Sequence, residues 1–401
     1  MRHSGSADLP LHNGHVPKWL AKRMAKLGGA ITEAILIEFG KKAFIQRMSD
    51  PAWFQSLGCV LGMDWHSSGI TTSVMGALKS AINPRAKEMG IYICGGRGKY
   101  SRKTPEELLT VADQTGLNGH SLVKSSRLVA KVDNTAIQDG FQIYLHSFIL
   151  TDEGDWSVVQ QGMNGVSGYA RRYHWSSINL ESYVNEPHEF IYGKNQGQIV
   201  NLTHAKAQET RQSILAVGKE KPEIMLNEIR KIKLPQHHNV KHKDVDLKRL
   251  GAVLAVANEL PSNQFEDLLL IQGLGPRTLQ SLALVSEIIY GTQSRFKDPA
   301  RFSFAHGGKD GHPFPVPTKV YDESILVLKQ AIGKAKLGHS DKLKALNALT
   351  TASQCIEKDF KPKGNLDDLI QKERNESWKY GGKTVNGFVK KPRSVQSSLF
   401  E

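Results

Sequence analysis

Apolar residues recur at three- and four-residue steps through Trp19, Met24, Leu27, Ile31, Ala34, Ile35 and Phe39. That period predicts an amphipathic helix, with Gly40 as its stop. Pro51 opens a second apolar stretch carrying Trp53, Phe54, Leu57 and Leu61, which leads through a polar loop at 64–69 to a third helix over about 72–79. Beyond residue 90 the period shortens. Ile91–Cys94 predicts a strand, and Thr104, Pro105 and Glu107 have the spacing of a capping box at the head of a helix. Phe141–Leu150 and Trp156–Gln161 alternate on either side of Asp152-Glu-Gly-Asp155, the signature of a hairpin. Asn13-Gly14 predicts a smaller hairpin turn near the start. Residues 200 to about 350 read as helical, and past about 361 the apolar period fades into a polar tail expected to be disordered. The predicted fold is mixed, an α/β (α+β) N-terminal region with a small sheet and hairpin before a mostly helical C-terminal half. The expected division is 1–200 for a candidate catalytic domain, 201–350 for a helical domain and 361–401 for the tail.

Composition adds a direction. The chain has 401 residues, with 53 Lys+Arg against 39 Asp+Glu, a formal charge of +14. That length holds two or three domains with cores of their own. The positive excess favours phosphate-bearing partners. Cys59, Cys94 and Cys355 are widely spaced and form no C-x-x-C pair, which argues against a disulfide framework or a thiolate zinc site. The first twenty residues lack the apolar run of a signal peptide, and no stretch reaches the ~18 apolar residues that span a bilayer. A cytoplasmic, nucleoid-associated protein with no membrane partner is expected.

The most specific motif lies at 262–291. Asn263–Leu270 predicts a short helix, Gln272-Gly-Leu-Gly275 a tight turn, and Pro276 the first position of a second helix. Gly273 and Gly275 leave backbone amides unshielded at a helix N-terminus, where a DNA phosphate can dock, and Arg277 adds charge. The segment resembles the helix-hairpin-helix module of DNA repair and replication proteins, which grips the backbone without reading bases. A purely structural helical hairpin is the competing interpretation. At the end of the tail, Gln396, Leu399 and Phe400 form a Q-x-x-L-F pattern resembling the peptides that dock into sliding clamps.

Several polar clusters are candidates for chemistry. Gly95, Gly96, Arg97, Gly98, Lys99, Arg102 and Lys103 make a glycine-rich basic loop after a strand, suited to phosphate although without Walker spacing. Arg171, Arg172 and Lys309 extend the set of candidate phosphate contacts. Asp64, His66, Asp133, Asp139 and His146 are the candidate catalytic residues. The carboxylates Asp64, Asp133 and Asp139 would hold Mg²⁺ or Mn²⁺ and direct water at a phosphodiester. No nuclease signature orders these residues, and each carboxylate taken singly suits a turn or cap. His237, His238 and His242 with Asp244 read as a solvated basic turn in preference to a metal site.

Met1–Pro10, Leu57–Gly69, Val159–Asn164, Ala170–Trp175 and Phe304–Gly311 together resemble a known family, the domain-of-unknown-function family seven-sixty-three of archaea and bacteria. The resemblance spans roughly residues 1–350. It implies a helix-hairpin-helix segment, hence DNA, and transfers no catalytic residue. The expected function is DNA repair or processing by a divalent-metal nuclease delivered by a sliding clamp. A non-catalytic, structure-specific DNA adaptor and an enzyme acting on a small phosphorylated metabolite are the alternatives.

Overall fold

Five antiparallel strands, β1 (Ile91–Arg97), β2 (Gln142–Thr151), β3 (Trp156–Asn164), β4 (Tyr169–Ser176) and β5 (Phe190–Tyr192), form one sheet in the order of the chain. They belong to a computed structural model that describes residues 16–63, 68–231, 247–292, 294, 297–300 and 318–358, with two short strands further on. Residues 1–355 form one compact unit and 356–401 another. In the second, Lys383–Thr384 pairs with Gly387–Phe388.

The period-two alternation of the strands divides two cores. Ile91, Ile93, Ile149 and Val159 point to one face. There they meet α1 (Lys18–Ser49), α2 (Pro51–Val60), α3 (Gly69–Ile82), α12 (Thr318–Lys334) and α13 (His339–Lys358). Tyr92, Cys94, Phe148, Leu150, Val158, Tyr173 and Trp175 point to the other. That face is covered by α5 (Thr104–Thr115), α6 (Gly119–Lys131), α7 (Gln208–Lys219), α9 (Leu247–Glu259), α10 (Phe265–Leu269) and α11 (Pro276–Tyr290). The remaining α-helices among the described residues are α4 (Ala86–Met89) and α8 (Pro222–Lys231). A sheet buried on both sides explains strands in which nearly every position is inside. No helix of the described residues is long and apolar enough to cross a membrane.

The sequence reading and the structure differ at three places. Gly40 kinks α1 rather than ending it: helical geometry lapses there and resumes through Ser49. The expected capping box is not made. Thr104 Oγ1 donates to Ser101 O instead, and Glu107 turns back to receive the amide of Gly95 and the ammonium of Lys79, each across 2.7 Å. The hairpin of β2 and β3 is present but continues into β4 and β5, which the alternation did not predict. Asn13-Gly14 and nearly all of the expected tail lie outside the described residues.

Candidate nucleic-acid interface

The segment 265–290 folds as two helices joined by a tight turn. Phe265, Leu268 and Leu269 of α10 and Leu279, Leu282 and Ala283 of α11 are buried in one core, where the pair packs chiefly against α7 and also against α6. Gly273 takes φ +90°, a conformation open to glycine at little cost. Gly275 is the N-cap of α11 and Pro276 its first residue, with no side chain bonded at the cap. The amides of Arg277 and Thr278 therefore stand in the first turn of a helix, where no carbonyl of that helix can receive them.

Three carbonyls at the turn and the start of α11 receive side chains. Arg249 Nε donates to Gly273 O across 2.9 Å and Lys131 Nζ to Leu274 O across 2.6 Å. Gln138 Nε2 donates to Pro276 O across 2.8 Å. Burial, and then the nearby Arg249 charge, lower the pKa of Lys131. Two cations held close together, with Arg277 exposed beside them, make the turn positive. The uncapped dipole of α11 adds to the same sign.

The glycine-rich basic loop divides its work between structure and surface. Gly95 is buried at φ +85°, and a Cβ there would stand 2.3 Å from both His146 O and Thr104 Oγ1. Its amide already serves Glu107, so Gly95 offers nothing to a phosphate. From Arg97 onward the chain emerges as a helical turn, Gly98–Lys103, that exposes Arg97, Gly98, Lys99, Arg102 and Lys103, with Gly96 half-buried before it.

Arg171 and Arg172 are not surface contacts. Both lie on β4, fully buried, and neither can reach a nucleic acid. Arg171 bridges two carboxylates, Asp139 at 2.8 Å and Asp298 at 2.6 Å, which hold its guanidinium protonated despite burial. Arg172, on the opposite face, lies between the rings of Phe54 and Tyr192 at 4.7 and 4.9 Å. It donates to Gln55 Oε1 across 2.6 Å and to Thr71 Oγ1, and its Nε has no partner. Burial lowers its pKa to about 10.

The carboxylates expected to hold a metal are also committed elsewhere. A π-helical turn, Val132–Ala136, points Asp133 into the core, where it receives His188 Nε2, Trp175 Nε1 and Gln160 Nε2. Gln160 Oε1 in turn receives His146 Nδ1 across 2.6 Å, and His146 Nε2 meets Ser126 Oγ at 2.9 Å. Burial lowers the pKa of His146, and a neutral ring donating at Nδ1 and accepting at Nε2 satisfies both contacts. Asp139 receives Arg171, the Tyr173 hydroxyl and the Phe141 amide. Three of the roughly four acceptor sites on each carboxylate are thus filled by protein. Among the described residues no three His, Cys, Asp or Glu side chains gather as a metal site. The described donor set does not fit Mg²⁺ or Mn²⁺, and no step through a metal follows from it. Asp64, His66, Lys309, the cluster His237, His238 and His242, and the clamp-like Gln396, Leu399 and Phe400 lie outside the described residues.

Lys131, Gln138 and Arg249 escape the sequence reading because they are far along the chain from the turn they bind. One signal was available for the first: Lys124, Arg127 and Lys131 recur at helical spacing, a basic stripe on α6. A family model described as Protein of unknown function (DUF763) matches residues 5–316. The chain belongs to that family. No curated protein and no solved structure matches it. In this DUF763 chain the matched span contains the whole sheet, the hairpin turn and the three side chains that bind its carbonyls.

Proposed function

We propose that this protein binds DNA through its phosphate backbone, without reading sequence, at the turn 270–275 and the first turn of α11. One observation carries the reading. Two carbonyls of the turn, those of Gly273 and Leu274, receive cationic side chains, and that of Pro276, the first residue of α11, receives Gln138. Positive charge on the turn beside the N-terminal end of a helix is the complement of a phosphate. A turn serving only to pack two helices has no need of cations on its acceptors. Few side chains at the turn are long enough to probe a groove, which fits backbone contact rather than base readout.

Titrating the full chain with labelled duplex across a range of salt tests this. Affinity should fall steeply with salt, and Arg277→Glu should weaken it; a flat salt response contradicts backbone binding and favours a small phosphorylated metabolite. Repair or processing remains the proposed setting. Adding Mg²⁺ or Mn²⁺ to the same mixtures separates a nuclease, which shortens the strand, from an adaptor, which only holds it. Delivery by a sliding clamp is the proposed role of Gln396, Leu399 and Phe400. Deleting 396–400 should abolish capture by immobilised clamp, and undiminished capture would remove that role.

A further inference from the structure

We infer that the helical turn Gly98–Lys103 is a platform for unpaired nucleotides beside the duplex grip, so that the preferred DNA carries a single-stranded arm. The inference rests on the DNA reading above and adds the class of DNA.

The platform combines charge with an aromatic face. Arg97, Lys99, Arg102 and Lys103 are exposed, and so is the Tyr100 ring, at 51%. Lys99 Nζ stands 5.6 Å from the centre of that ring, and the Arg97 guanidinium 5.9 Å from the ring of Tyr144. A phosphate track alone needs only the cations. An exposed tyrosine among them offers a stacking surface, which bases in a duplex cannot use because they stack on one another. Unpaired bases can, and aromatic rings interleaved with cations are how sequence-tolerant single-strand sites are built.

Strand register brings this platform to the duplex grip. β1 ends at Arg97, opposite Leu145 of β2. The chain arriving from Lys131 and Gln138 enters β2 at Gln142, three residues or about 10 Å from that point. Gln138 is bonded to Pro276 O, and Lys131 to Leu274 O. α5 begins directly after the platform, and the turn at 116–118 returns the chain through α6 to Lys131. Arg127, exposed one helical turn before Lys131, extends the positive surface along α6. Both sites therefore lie toward the same end of the sheet.

Fluorescence anisotropy on the full chain tests this with a blunt duplex and the same duplex bearing a thymidine arm of about 10 nucleotides, a length one small binding site spans. The arm should raise affinity about tenfold, the order of one stacked base. Tyr100→Ala should reduce the ratio of the two affinities to parity and Tyr100→Phe should keep it, with circular dichroism confirming that both variants are folded. Arg277→Glu should weaken both probes together. Equal binding of the two probes by the wild type, or an unchanged ratio in Tyr100→Ala, overturns the platform while leaving the backbone reading intact. Failure to bind either probe overturns both.

Discussion

The Lys131 ammonium donates across 2.6 Å to the carbonyl oxygen of Leu274, 143 residues further along the chain. This contact joins the end of α6 to the hairpin turn and places a positive charge under it. Its partner Arg249 does the same one residue earlier, at Gly273. The turn is thus a tertiary construction as well as a local one.

Arg277 is exposed in the first turn of α11, so replacing it by Ala should cost one phosphate contact. The plot of log affinity against log salt should then become shallower by about 0.9. A slope equal to that of the wild type would remove Arg277 from the interface.

The two adjacent arginines of β4 should behave oppositely. Arg171→Met strands Asp139 and Asp298 in the core and should lower stability by about 3–5 kcal/mol. Arg172 has no carboxylate among its described contacts, and Arg172→Met keeps the stem that packs between Phe54 and Tyr192. It should leave stability within about 1 kcal/mol of wild type, or raise it. Urea unfolding midpoints decide between these outcomes, and equal losses would contradict the assignment of ion partners.

His146 and His174 are buried, and burial lowers both pKa values, that of His174 well below the ordinary value. Unfolding returns each ring to a pKa near ~6.5, so below that pH the unfolded chain binds more protons than the folded one. Stability should be unaffected by these rings above that point and should decline as pH falls beneath it. The two together set a limit of about 2.7 kcal/mol per pH unit. Thermal melts of His146→Gln between mildly acidic and neutral pH should show a shallower decline; an identical one would exclude His146 as a contributor.

Gly95 and Gly273 both have positive φ but differ in their surroundings. A Cβ at 95 meets the backbone of His146, and Gly95→Ala should cost about 3–5 kcal/mol, near the upper end for a single substitution. A Cβ at 273 meets nothing within 4 Å, so Gly273→Ala should cost only the backbone strain, about 1–2 kcal/mol. Comparable melting temperatures for the two variants would contradict this.

Elements with their own local period were legible in the sequence: the first three helices, β1, the hairpin of β2 and β3, and the glycine turn before Pro276. β4 was not. Its polar groups fall on both faces, Arg171 and Tyr173 on one and Arg172 and His174 on the other, so no alternation marks it as a strand. The residues that make those charges tolerable come from positions 55, 71, 139 and 298, far from it in sequence. The same distance hid the donors that Asp133 and Asp139 hold, since a carboxylate's donors cannot be counted from its neighbours in the chain. Of the candidate interface, the glycines and Arg277 were visible, whereas Lys131, Gln138 and Arg249 became evident only through contact.

The salt bridge between Arg171 and Asp298 also has a mechanical meaning. Asp298 follows α11 and receives the Gln196 and Ala300 amides as well, which fastens the chain beyond the hairpin to the middle of β4. The other end of α11 is fastened by Gln138, Lys131 and Arg249. The hairpin turn is therefore tied by side chains to α6, to α9 and to the chain that leads into β2. On the proposed reading, a backbone held at the turn bears on three elements that are distant from one another in the chain.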